Sequence, residues 1–284
     1  MRKLKQNRAA SFLVVFLVYI MATVAGILVY NALAYSWWIS LFIADAVATV
    51  VTFVFSVIFG NASVYDPYWS VQPPVILIAY SLGGELTAFG VLLIAVISFW
   101  AIRLTANWAY TFRNLEHQDW RYTMLKEKTG VFYPLINFVG IHMVPTLVVY
   151  GCTVPAVYGV IQHLSVNAGS ILFLLVSLSA AVMQGIADIQ MHKFRKNRNG
   201  AFIRIGLWKY SRHPNYLGEI LMWWGVALSV FCAAPCAWYL LAGAVSNTIL
   251  FLAVSIPMAD GRQSKKEGFG EYKAQTRMLL PIKK

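Results

Sequence analysis

Charge is scarce in this chain, and acidic charge scarcer than basic. Its 284 residues include 11 Asp and Glu against 23 Lys and Arg, and charged side chains make up 12% of the whole. A soluble domain carries about 25% charged residues, so a water-soluble globular protein is excluded. The 59% hydrophobic content points instead to a lipid-embedded chain. Cysteine is scarce too. Cys152, Cys232 and Cys236 stand in apolar surroundings with no Cys-x-x-Cys pair and no Cys/His cluster, which points away from a disulfide framework and a zinc site. The histidines are scattered and outline no metal centre. No Gly-x-Gly-x-x-Gly turn follows a strand pattern, so a Rossmann dinucleotide site is not expected. Internal repeats, low-complexity tracts and soluble-domain lengths of polar sequence are missing as well. What is left is a single integral membrane domain over residues 1–284.

Long apolar stretches fill that length: Ser11–Ala34, Ser36–Gly60, Val64–Leu82, Ala88–Phe112, Val131–Val157, Ala168–Met191, Tyr216–Phe231 and Pro235–Pro257. A bilayer core of about 30 Å needs about 20 helical residues, so the pattern predicts an all-α polytopic bundle of about eight spans. The third and seventh stretches are the weakest. All Lys and Arg fall within Arg2–Arg8, Arg103–Lys128, Lys193–Arg212 and Arg262–Lys284, while the intervening connections carry none. Eight spans put these basic blocks on one side, which the positive-inside rule makes cytoplasmic together with both termini. The formal charge of +12 follows from topology plus attraction to anionic lipid, so the bilayer is the expected partner and nucleic acid is not. The basic start, the apolar run and the triplet Ala32–Ala34 resemble a signal peptide. The run is too long for one, so it reads as an anchor; cleavage would leave seven spans.

Several polar groups exceed what topology needs. In "VYDPYWSVQPP", Asp66 stands beside Pro67 and before Pro73 and Pro74. Broken backbone at membrane depth is tolerated around cavities, so this segment reads as a cavity lining, with a proline-kinked helix as the alternative. Gln184, Asp188, His192 and Arg195 share one helix face over roughly 16 Å, comparable with the contact length of a dinucleotide. Trp100, Arg103, Asn107 and Tyr110 form a second stripe, which interfacial snorkelling and an aromatic belt also explain. In "WKYSRHPNYLGEILMWWG" (208–225), Pro214 suits a first helical turn and Asn215 and Glu219 stand one turn apart. Ser211, Arg212 and His213 just before them suit an anion such as phosphate.

That stretch, together with "QDWRY" (118–122), "SVYDPYWS" and the terminal "FGEYKAQT", resembles the bacterial branch of the steroid 5-alpha-reductase-like integral membrane proteins from about Val64 onward. The resemblance implies an NADPH-dependent reductase of a carbon–carbon double bond conjugated to a carbonyl, acting on an apolar, steroid-like or lipid molecule. It implies a bacterial inner-membrane enzyme whose site faces the cytoplasm and whose cofactor-binding half is residues 100–284. The family's cofactor-binding Asn and Glu fall on Asn215 and Glu219, with Tyr216 between. Its Asn-x-x-x-Asp pattern falls on Gln184 and Asp188, with Gln in place of Asn, and a downstream arginine falls on Arg195. Arg103, Arg113, His192, Tyr210, Arg212, His213 and Arg262 complete the expected cofactor set, basic groups taking phosphates. The place of the substrate-holding glutamate falls on Asp66 and that of its tyrosine near Trp100, so Tyr65 or Tyr68 is left to supply a phenol. Asp66 and Tyr68 are the expected catalytic pair, and Trp69 and Trp100 the expected substrate contacts.

A similar Arg-His-Pro-x-Tyr-x-Gly stretch and Phe-Gly-x-Tyr tail occur in isoprenylcysteine carboxyl methyltransferases, for which the cofactor would be S-adenosylmethionine. The paired acids of those enzymes are replaced here by the separated Asp260 and Glu267. A non-enzymatic lipid-binding protein is the third reading. It leaves the clustering of polar groups at one face without a role. The sequence leaves the substrate and the oligomeric state open.

Overall fold

Helices are the expected answer to apolar sequence in lipid, because they satisfy every backbone polar group internally. A computed structural model of the chain describes residues 2–197 and 202–281, and among these there is no β-strand. In chain order the α-helices are α1 Arg2–Gln6, α2 Arg8–Ala32, α3 Trp37–Phe59, α4 Tyr68–Ser81, α5 Ala88–Thr111, α6 Trp120–Thr129, α7 Tyr133–Leu135, α8 Val144–Ile161, α9 Ala168–Lys196, α10 Pro214–Ala233, α11 Ala242–Leu250, α12 Ile256–Gln263 and α13 Phe269–Gln275. Two π-helical turns, Ile136–Met143 and Phe251–Ser255, are continuous with α8 and α12. Local chemistry sets the ends. Asn7 caps α2 through Ala10 N at 3.0 Å, Asn167 and Ser170 form a reciprocal capping box on α9, and Gly60 closes α3 with φ of 60°.

Among the described residues, seven helical runs are long and apolar enough to cross a membrane: Arg8–Ala32, Trp37–Phe59, Ala88–Thr111, Trp120–Ile161, Ala168–Lys196, Pro214–Ala233 and Pro235–Gln263. They answer seven of the eight expected stretches and make this a polytopic helical membrane protein. The third stretch differs. A 3₁₀ turn at Ala62–Val64 and Pro67 delay the helix to Tyr68, and α4 ends after 14 residues. At about 1.5 Å per residue it covers about 21 Å, short of a bilayer core. The helix then runs unbroken through Pro73 and Pro74.

The chain divides into two compact units, Met1–Pro73 with Leu104–Tyr150, and Pro74–Arg103 with Gly151–Lys284. In the first, α2 packs along α3. The buried Asp45, Thr49, Thr52 and Ser56 recur at i, i+4, i+7 and i+11 along α3, a polar seam inside the unit. Asp45 accepts from Tyr68 Oη at 2.7 Å and Gln72 Nε2 at 2.7 Å. Thr146 Oγ1 lies 3.0 Å from Thr49 Oγ1 and 2.8 Å from Tyr65 Oη. Asp45 is thus a satisfied buried carboxylate.

In the second unit α9 and α10 pack along each other. Glycine sets their distance: a Cβ at Gly218 would fall 2.8 Å from the Ala180 carbonyl, and one at Gly225 would fall 2.6 Å from the Phe173 carbonyl. Two glycines seven residues apart give α10 a bare stripe against which α9 can press, the usual device for close helix packing in lipid. Ser177 Oγ donates across this seam to the Met222 carbonyl at 2.9 Å.

Candidate functional site

The close approach of α9 and α10 brings Gln184 onto Glu219. Gln184 Nε2 donates to Glu219 Oε2 at 2.6 Å, Trp100 Nε1 donates to the same oxygen at 2.9 Å, and Trp223 Nε1 donates to Oε1 at 2.9 Å. The two indoles meet edge to face, with centroids 4.9 Å apart. Glu219 is only 5% exposed, and three N–H donors are what makes a carboxylate tolerable at such depth. The chain of contacts continues outward. Arg103 Nη2 donates to Gln184 Oε1 at 2.6 Å and Arg103 Nη1 to Asp188 Oδ2 at 2.8 Å. Three helices therefore contribute to one network: α5 with Trp100 and Arg103, α9 with Gln184 and Asp188, and α10 with Glu219 and Trp223.

The α9 stripe grades from inside to outside. Gln184 is buried, Asp188 and His192 are half-buried, and Arg195 is exposed. Asn215, one turn before Glu219 on α10, is half-buried, and its amide makes no hydrogen bond among the described residues. The network holds two carboxylates and one guanidinium, so its formal charge is negative. A negatively charged core with an uncommitted amide and a basic outer end suits a ligand with a carboxamide and hydroxyls at one end and phosphates at the other. Gln184, Asp188, Asn215 and Glu219 are the residues that could hold such a group.

The segment before α10 is already engaged. Asp260 Oδ2 accepts from Arg212 Nη2 at 3.0 Å and Asp260 Oδ1 pairs with His213 Nε2 at 2.9 Å. Arg212 also donates from Nη1 to the Thr276 carbonyl at 2.6 Å and from its backbone N to the Arg277 carbonyl at 3.0 Å. The His213 ring stacks on Tyr216, with centroids 5.3 Å apart. Arg212 and His213, expected to meet phosphate, thus clasp the C-terminal tail, while Tyr210 and Arg262 are exposed.

The remaining expected residues lie in the first unit. Arg113 is exposed after α5, and Trp69 is half-buried on α4. Tyr68 is buried and committed to Asp45. Asp66 accepts from Tyr122 Oη at 2.5 Å. Around it two of the recognisable motifs and the residues just before them dock on each other: Asn61 Nδ2 donates to the Leu115 carbonyl at 2.8 Å, Gln118 Oε1 accepts from Ala62 N at 2.9 Å, and Ser63 Oγ accepts from Asp119 N at 2.9 Å. Asp66 lies outside the seven apolar runs. Burial pushes its carboxyl up to about 6, with Arg121 pulling the other way.

Sequence reasoning did not single out Trp223, Asp260 or Tyr122 as partners. Trp223 had a signal, its i+4 spacing from Glu219. Asp260 and Tyr122 are brought in by tertiary contacts more than 45 positions away in the chain, which no local pattern encodes. Among the described residues no group of three or more His, Cys, Asp or Glu side chains is placed to hold a metal ion.

Fold and site together define a polytopic helical membrane protein with a buried carboxylate network at the α5, α9 and α10 seam. The chain belongs to the DUF1295 family, described as a protein of unknown function, which it matches over residues 52–276. A relative from the fission yeast Schizosaccharomyces pombe, the uncharacterized protein C594.04c, is 24% identical over 194 residues. That match covers 57% of this chain and 56% of the yeast protein, so the chain spans little more than half the length of this curated relative. No solved structure matches.

Proposed function

We propose that this chain is a membrane-embedded, NADPH-dependent reductase of a carbon–carbon double bond conjugated to a carbonyl in an apolar substrate. The observation that carries the reading is the Gln184–Glu219 contact at 2.6 Å. Residues that the resemblance assigns to the cofactor from two separate helices meet in one hydrogen-bonded network, beside an uncommitted Asn215. In this reading Asn215, Glu219, Gln184 and Asp188 bind the nicotinamide and ribose end, and His192 and Arg195 stand toward the phosphates. NADPH, when bound, supplies the hydride. Arg103 fixes the rotamers of Gln184 and Asp188, and the two indoles hold the Glu219 carboxylate and exclude water from it. The bacterial inner membrane, with the site facing the cytoplasm, is the proposed setting. Titration of detergent-purified protein with NADPH and with S-adenosylmethionine tests the reading. Saturable NADPH binding is expected, whereas binding of S-adenosylmethionine alone would transfer the chain to the methyltransferase reading.

Asp66 is the proposed acid. A carboxyl with a pKa near 6 donates a proton below that pH and loses the ability above it, so NADPH oxidation in single turnover is expected to slow as pH rises through about 6. Asp66→Asn should flatten that step and cost about 10²-fold or more in rate at pH 5.5. An unchanged profile would remove Asp66 from the chemistry. The Tyr68 hydroxyl, the other expected member of the pair, is committed to Asp45.

A further inference from the structure

The clasp that holds the C-terminal tail leaves a cleft of about 490 Å³, lined by Arg212, Lys273, Arg277, Met278, Leu279 and Leu280. Half of that lining is cationic and half is long and apolar. Arg212 is 8% exposed, with Nη1 and Nη2 spent on Thr276 and Asp260 and Nε buried without a partner. Asp260 answers the charge of Arg212, and the exposed side chains of Lys273 and Arg277 bring two further cations to the cleft. The cleft also lies close to the ends of two apolar runs. Arg212 stands two residues before Pro214, the first residue of an apolar run, and the tail follows the run that ends at Gln263. A cationic mouth with an aliphatic wall at the edge of two membrane-crossing helices matches a molecule with a singly charged head and hydrocarbon chains.

We propose that this cleft is a binding site for an anionic phospholipid, its phosphodiester taken by Lys273 and Arg277 and the start of an acyl chain by Met278, Leu279 and Leu280. The site is distinct from the Gln184–Glu219 network, and its occupant ties the tail, and through Arg212 and Asp260 the start of α10, to the headgroup layer. Nucleotide phosphates share the anionic head but have no use for three aliphatic side chains. Basic side chains at a membrane surface contribute enough each that losing two is expected to weaken anionic-lipid binding about thirtyfold.

The test is lipid retention by the purified full-length chain, measured by native mass spectrometry without NADPH, after exchange into phosphatidylglycerol or phosphatidylcholine. Retained phosphatidylglycerol, little phosphatidylcholine, and about thirtyfold weaker retention in Lys273→Ala/Arg277→Ala are expected. Leu279→Asp should weaken it independently, and unchanged elution of each variant by size exclusion checks folding. Equal retention of both lipids, or full retention by the double variant, overturns the proposal. Competition by millimolar inorganic phosphate as strong as that by the lipid would reduce the cleft to a simple anion site. In a separate titration, displacement of the retained lipid by NADPH would overturn the proposal in favour of a nucleotide site. Because the lipid measurement omits the nucleotide, it stands or falls separately from the reductase reading.

Discussion

Glu219→Ala is expected to destabilise the purified protein by roughly 3–5 kcal/mol and to abolish NADPH binding. The carboxylate is the common acceptor of Trp100, Trp223 and Gln184. Its removal strands three buried N–H groups, each worth about 1–3 kcal/mol when unsatisfied, in a setting where water cannot replace the lost partner. Gln184 would also lose the contact that holds its other end on Arg103. Glu219→Gln should be milder, because a carbonyl at the Oε2 position still serves Trp100 and Gln184 while the new amide nitrogen faces the Trp223 N–H. A thermal melt followed by indole fluorescence reads both variants. The order Ala worse than Gln worse than wild type is the expected result. Equal stability of all three would mean that the carboxylate is not the hub.

Gly243→Ala should be the most damaging single methyl in the second unit. A Cβ there would lie 2.6 Å from the Cys152 backbone nitrogen and closer still to the Gly151 carbonyl. These are backbone atoms of α8, which cannot swing aside as a side chain can, so α8 and α11 must separate. Overpacking costs about 1–3 kcal/mol where side chains yield, and here a loss at or above the top of that range is expected. Gly261→Ala is the control, because nothing lies within 4 Å of the added carbon, and helix propensity alone makes it neutral or stabilising by up to about 1 kcal/mol. Melting temperatures of the two variants in the same detergent decide the matter. Similar losses in both would show that the α8–α11 approach is not tight.

Much of this was readable from residue order. Seven apolar runs, the stripe Gln184 to Arg195 and the pairing of Asn215 with Glu219 on one face all follow from helical periodicity, which a lipid environment enforces strictly. The third stretch is the exception. Its apolar content counts residues on both sides of Pro67, but the backbone turns at Ala62–Val64 and only 14 residues form the helix. Arg212 and His213 show the other limit. Their basic character and place before a helix start suit an anion, yet an acid nearly fifty residues later claims them. Nothing local marks the partners of Asp45, and only the folding of α4 against α3 brings Tyr68 and Gln72 to it. Local pattern fixes which face a residue occupies; the partner on the opposing element is set by packing.

The sharpest measurement is the dissociation constant for NADPH of the wild type against Asn215→Ala, paired with a thermal melt of each. The Asn215 amide makes no hydrogen bond among the described residues, so its removal should leave the melting temperature unchanged while weakening NADPH binding about tenfold or more. Unaltered NADPH affinity in a stable Asn215→Ala protein would contradict the placing of the cofactor on the α9–α10 network.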